Sequence, residues 1–197
     1  GWVESRFREA SGQTEAGAAQ TLAELSGPDL RSLASEVDKL GTYVGDRQRV
    51  TRDDVLRAAG HSAEQNPFAL QAAIGRGDVA SALSITEALL STAGNRASEA
   101  IRIVALLSAY VTKLWKLTGC LSAGVPSSQW AGQIGVPPFA VREYEGPARR
   151  FCPAGVRQAL EALLAADLEL KGGSRRDPRL TLALAIRRAT AAHQGNR

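Results

Sequence analysis

The sequence predicts an all-α fold, and three observations predict it. Apolar residues recur at spacings of three and four from one end of the chain to the other, strand signals are nearly absent, and the 44% apolar content is carried by Ala and Leu with only 5% aromatic residues. A core of small and branched side chains at helical spacing suits helices that approach one another closely. At 197 residues the chain has room for one large domain or two modest ones, at about 150 residues per domain.

The elements follow in order. Trp2, Val3 and Phe7 share one helical face, and Gly12 can supply the left-handed stop. Thr14 is read as the cap of a segment with Ala18, Ala19, Leu22 and Leu25 on one face, closed by Gly27-Pro28. Asp29 caps the next, where Leu30, Leu33, Val37 and Leu40 recur. After a turn at Gly45-Asp46, Thr51 caps Val55, Leu56 and Ala59, with Asp54 as a short capping-box partner. The first 60 or so residues thus predict a unit of four short helices. The polar stretch from Gly60 to Asn66 is the best linker. Pro67 then fits the first turn of a helix carrying Phe68, Leu70 and Ile74, and Asp78 caps another with Leu83, Ile85, Leu89 and Leu90. The longest helix runs over 97–118, with Ala100, Ile101, Val104, Leu107, Val111, Leu114 and Leu117 on its apolar face. Ile103, Leu106 and Trp115 broaden that face, so the helix is expected to be central and packed on more than one side, with Gly119 ending it. Short helices are expected over 127–134 and 139–144, held between Gly and Pro turns. Two more follow, over 156–170 with Leu160, Leu163, Leu164 and Leu168, and over 178–192 with Leu180, Leu182, Leu184 and Ile186.

Several kinds of chemistry are missing. No Gly-x-x-x-x-Gly-Lys-Ser/Thr loop, Gly-x-Ser-x-Gly, Cys-x-x-Cys or His-Glu-x-x-His pattern occurs, and Gly172-Gly173-Ser174 follows a helix rather than a strand. Cys120 and Cys152 supply neither a disulfide framework nor a zinc site, which points to a reducing compartment, and they read as small buried hydrophobes. His61 and His193 lie at opposite ends of the chain, and Asp167 and Glu169, two apart, do not share a helix face. The expectation is no catalytic residue, no nucleotide-binding residue, no metal and no cofactor. No run approaches the roughly 18 apolar residues of a membrane span, and no membrane partner is expected. The chain begins with Gly1 and contains no Met, so it is read as the C-terminal piece of something longer.

Charge is uneven. Residues 1–141 carry 13 basic and 14 acidic side chains, whereas residues 142–197 carry 11 basic and 6 acidic ones, so the surplus behind the formal charge of +4 sits in the last third. Such a cluster attracts phosphate backbones with little sequence preference; the plainer alternative is a solvated surface with cations at helix C-termini. Arg149, Arg150, Lys171, Arg175 and Arg176 are the candidate DNA-facing residues, and those at 171, 175 and 176, in a predicted loop, are the most mobile.

A set of short motifs stands in fixed order along the chain. Trp2 opens the first helix, and Asp29-Leu30-Arg31-Ser32-Leu33 runs into Glu36-Val37-Asp38-Lys39-Leu40. Val50-Thr51-Arg52-Asp53-Asp54-Val55 follows, then Asn66-Pro67-Phe68-Ala69-Leu70 with Ala73-Ile74 and Gly77-Asp78, and finally Asp167-Leu168-Glu169-Leu170-Lys171-Gly172. Together these motifs resemble the delta subunit family of the bacterial DNA polymerase III clamp loader, and the resemblance implies a small four-helix AAA+ lid over residues 1–61 and a helical collar domain over 62–197. It implies that the chain is the C-terminal part of a delta subunit, which neither binds nor hydrolyses ATP but belongs to a DNA polymerase holoenzyme, a nucleotidyltransferase. The collar would join ATPase and delta-prime subunits in a five-membered ring, with Ile103, Leu106, Tyr110 and Trp115 as candidate interface residues. Primed DNA would be met through the assembled complex, the sliding clamp only through a missing first domain, and the setting would be the cytoplasmic, nucleoid-associated replisome.

Rival readings stand beside it. The lid and collar of an ATPase loader subunit, or of a related AAA+ protein, share the plan; Arg31 is then the one candidate sensor in the lid's best-matched helix. A free-standing helical nucleic-acid-binding module would bind DNA alone with a marked salt dependence. An all-helical enzyme is the most distant, because nothing supplies a nucleophile, base or metal.

Overall fold

The computed structural model describes residues 5–7, 13–26, 30–45, 47, 49–58 and 67–191. The expectations for Trp2, Val3, Gly12, Gly27-Pro28, Asp29, Asp46, Ala59, the 60–66 linker, His61, His193 and the side chain of Arg31 lie outside the described residues. The chain divides into two compact units, Gly1–Ala63 and Glu64–Arg197, and the described secondary structure is almost wholly helical.

In the first unit, β1 (Gln13–Thr14) pairs in parallel with β2 (Arg49–Val50), with Thr14 opposite Val50. This corrects the reading of Thr14 as a helix cap. The backbone there is engaged across the strand pair, Glu15 N–H donating to the Val50 carbonyl at 2.8 Å, and α1 (Ala18–Ser26) begins only after a turn at Gly17 with φ 94°. Helix α1 buries Ala18, Ala19, Leu22 and Leu25, the face its spacing predicts. Helix α2 (Leu30–Val44) buries Leu33, Val37, Leu40 and Val44, but Leu30 is exposed, because at the first helical position the apolar stripe overruns the core. Helix α3 (Arg52–Ala58) starts on a reciprocal cap: Asp54 N–H donates to Thr51 Oγ1 at 3.1 Å, and Thr51 N–H donates to Asp54 Oδ2 at 2.9 Å. Glu15 accepts from the Arg52 N–H at 3.0 Å, so a carboxylate from the strand region faces the positive end of α3.

The second unit holds α4 (Pro67–Arg76), α5 (Val79–Ser91), α6 (Arg96–Ser122), α7 (Ser127–Ile134), a 3-10 turn at Pro138–Ala140, α8 (Val141–Arg150), α9 (Pro153–Leu168), a wide turn at Glu169–Gly173 and α10 (Pro178–Ala191). Side chains start three of these helices. Asp78 accepts from Ser81 N–H at 3.0 Å, Asn95 from Ser98 N–H at 3.1 Å, and Cys152 Sγ from Gly155 N–H at 3.3 Å. Helix α6, 27 residues and about 40 Å long, packs against every other helix of the unit. Leu107, Val111, Leu114 and Leu117 are buried completely along it.

Three expectations are corrected here. Gly119 does not end α6: Cys120 keeps the buried face going, and the stop comes at Gly124, with φ 66°. There the N–H groups of Gly124 and Val125 return to the carbonyls of Leu121 and Cys120, closing the last turn. The helix expected over 139–144 instead starts as a 3-10 turn and continues as α8 to Arg150, straight through Pro147. Burial of Tyr144, Ala148 and the following Phe151 offsets the backbone bond that Pro147 cannot donate. On α9 the core contacts come from Val156, Ala159, Ala162, Leu163 and Ala166, whereas Leu164 and Leu168 are exposed. Alanines let α9 lie close to both α6 and α10, and that leaves the leucine stripe on the outside.

Candidate functional site

The candidate cations divide by what surrounds them. Arg149 donates to Glu145 one turn back at 3.0 Å, and its guanidinium lies 5.9 Å from the centre of the Trp130 ring. Lys171 is paired with Asp167 at 2.8 Å. Arg176 is held by Glu169 at 2.8 Å, while Glu169 also accepts from the Thr181 hydroxyl at 3.0 Å. Two of the three cations of that predicted loop thus stand beside carboxylates. Arg150 and Arg175 are exposed, and their side chains make no ion pair or hydrogen bond among the described residues. The turn itself needs its glycines: Gly172 has φ 110°, and a Cβ on Gly173 would come within 2.6 Å of the Leu168 carbonyl oxygen. Asp167 and Glu169 therefore take separate jobs, each neutralising a different cation.

The four apolar candidates also divide. Ile103 and Tyr110 are buried in the unit's own core, so neither side chain is available to a neighbour. The wide face of α6 is spent on the six helices around it. Leu106 is half-buried and Trp115 is 44% exposed, and these two reach the surface. The Tyr110 hydroxyl is sealed with no hydrogen-bond partner among the described residues. Burial, and next the neighbouring Tyr144, push its ionisation well above the usual phenol range. Its ring centre is 5.4 Å from that of Tyr144, whose own hydroxyl accepts from Lys113 at 3.5 Å.

One surface feature escaped the sequence. A groove of about 400 Å³ runs between α5 and α10, lined by Leu83, Thr86 and Leu90 on one side and Leu180 and Ala183 on the other. Arg179 crosses it to Glu87 at 2.6 Å. Residues 92 apart make that bond, and no local pattern signals it. Leu180 is 51% exposed at the lip, although the spacing of α10 assigned it to the core.

Among the described residues no group of three or more His, Cys, Asp or Glu side chains is placed to hold a metal ion. Cys120 is buried in the core, and Cys152 caps α9. No described helix is long and apolar enough to cross a membrane. What the geometry offers is surface: exposed arginines with no ion pair among the described residues, Arg150 and Arg175 among them, an exposed Trp and a leucine-lined groove.

Comparison with known proteins adds the following. Residues 64–188 match the family model described as DNA polymerase III delta subunit, C-terminal domain. The chain is 33% identical over 167 residues to DNA polymerase III subunit delta of Bacillus subtilis (strain 168), covering 85% of this chain and 47% of that protein. It also superposes on the solved structure of the Bacillus subtilis DNA clamp loader delta protein (YqeN), with a TM-score of 0.59 and 28% identity over 96% of this chain and 54% of that one. The chain thus spans about half the length of the relatives it matches.

Proposed function

Because the chain belongs to the DNA polymerase III delta-subunit family, we propose that residues 1–61 are the helical lid of an AAA+ module and residues 62–197 the collar through which a clamp loader assembles. The observation that carries this reading is the match of the delta C-terminal family model to 64–188, the helices gathered around α6. In this role the chain is a cytoplasmic component of a DNA polymerase holoenzyme and contributes assembly rather than catalysis. Its partners are the ATPase and delta-prime subunits, met through surface side chains that include Leu106 and Trp115. Primed DNA is approached only in the assembled ring, with Arg150 and Arg175 as the first phosphate contacts, since their charges are not already neutralised.

Native mass spectrometry of the chain mixed with the ATPase and delta-prime subunits tests the reading. One copy in a five-subunit complex is the expected result. No complex, together with salt-sensitive DNA binding by the chain alone, would replace the reading with that of a free-standing nucleic-acid module.

A further inference from the structure

We infer that Ser174 is a phosphorylation site, and that a phosphate there draws the Arg176 guanidinium away from Glu169. The inference goes beyond the collar reading and does not depend on it.

A modifying enzyme acts on exposed segments outside regular helices, which its active site can enclose. Among the described residues, Thr92 and Ser174 are the exposed serines and threonines that lie outside helices. Thr92 keeps helical backbone angles and spends its hydroxyl on the Ala88 carbonyl at 3.2 Å. Ser174 is extended, with ψ 157°, and its hydroxyl only accepts, from the Arg176 N–H at 3.1 Å. The Ser174 proton is therefore held by no acceptor among the described residues. Gly172 and Gly173 precede it, so no side chain covers the hydroxyl from that side.

Charge gives the class of enzyme. Lys171, Arg175 and Arg176 all lie within three residues of Ser174, with Asp177 as the one carboxylate in that span. A serine kinase with an acidic substrate groove complements this pattern. In the transfer, Ser174 Oγ attacks the γ-phosphorus of ATP held by the kinase. The new O–P bond forms as the bond to the ADP oxygen breaks, and the hydroxyl proton passes to a carboxylate of the kinase.

The turn already holds what the product needs. A phosphoserine brings about −1.5 to −2 charges and three acceptor oxygens. The Arg176 N–H already stands at the hydroxyl, and the guanidinium of the same residue is bound to Glu169 at 2.8 Å on the exposed surface. A phosphate carries more charge than a carboxylate and takes the guanidinium by charge-assisted hydrogen bonds. Glu169 keeps the Thr181 hydroxyl at 3.0 Å, so the first turn of α10 stays tied while Arg176 changes partner. Asp167 and Asp177 are engaged elsewhere, with Lys171 and with the Arg179 N–H.

Mass-spectrometric peptide mapping of the protein purified from the cells that make it tests the site. Cleavage after glutamate keeps residues 170–197 in one peptide, because no glutamate follows Glu169. A phosphate on Ser174 in part of the population is the expected result; its absence in every growth phase and stress overturns the inference. In vitro, ATP and a serine kinase of arginine-directed specificity should label the chain. Ser174→Ala should remove most of that label and Thr92→Ala none of it; equal labelling of Ser174→Ala overturns the inference. Phosphorus NMR of the phosphorylated chain reads the change of partner. The phosphate should titrate below its usual value of about 6 and return toward it in Arg176→Ala. The same titration with and without Arg176 overturns the change of partner and leaves the site standing. None of these measurements uses another loader subunit, so their failure leaves the collar reading untouched.

Discussion

Tyr110 and Asp54 are both buried polar residues, and their surroundings have opposite consequences. Tyr110 has a phenol with no partner among the described residues, so Tyr110→Phe should leave stability unchanged or raise it by about 1 kcal/mol, read from the urea midpoint. Because burial raises its ionisation in the folded state, its contribution is intact below the unfolded phenol value of about 10 and is lost as pH rises past it. Tyr110→Phe should therefore flatten the alkaline fall in stability. At Asp54, burial pushes the carboxyl's ionisation up, but the Thr51 hydroxyl and N–H and the Arg47 guanidinium together outweigh it, so the folded value is held below the usual one. That stabilisation is present above the unfolded value of about 3.9 and is lost as pH falls through the folded one. Asp54→Ala should cost about 1–2 kcal/mol at pH 7 and progressively less as the pH is lowered through the carboxylate range, checked by unfolding across that range. The cap was legible because Thr-x-x-Asp is a local pattern. The orphan phenol was not, because its surroundings come from α4 and α8.

At the scale of elements, the crossing of α4 with α6 and α8 depends on a missing side chain. A Cβ on Gly75 would lie 2.5 Å from the Tyr110 hydroxyl oxygen and 2.7 Å from Pro147 Cγ. Alanine normally favours a helix over glycine by about 1 kcal/mol, but here overpacking reverses the sign. Gly75→Ala should destabilise by about 1–3 kcal/mol. Adding Tyr110→Phe should recover part of that loss and leave the part due to Pro147, which a double-mutant cycle in urea measures. Local signals placed most elements well: the 127–134 helix matches the observed one, and Asp78 caps α5 as expected. They erred where a helix end depends on packing, as at Gly119, where the buried face of Cys120 carried α6 onward.

For the whole molecule, the cations of the last third are not equivalent. Arg149, Lys171, Arg176 and Arg179 are each paired with a carboxylate within 3.0 Å. Replacing Arg150 and Arg175 together by Ala should reduce the salt slope of DNA binding by the assembled loader by roughly 1.8, measured by titration over a range of salt. Replacing Lys171 and Arg176 should change it less, since their charges are already offset. A larger effect from the second pair would show that those ion pairs open on DNA.

The sequence by itself determined the helical class, the faces of α1 and α6, most helix starts and the family resemblance, because each rests on spacing within a few residues of one segment. Only the tertiary structure decided which apolar residues face outward and which cations are free. Ile103 and Tyr110 went to the core, Leu164, Leu168 and Leu180 to the surface, and Arg179 to Glu87. The physical reason is that a helix has one apolar stripe by sequence but as many buried sides as it has neighbours, and a charge is neutralised by whatever folding brings within about 4 Å.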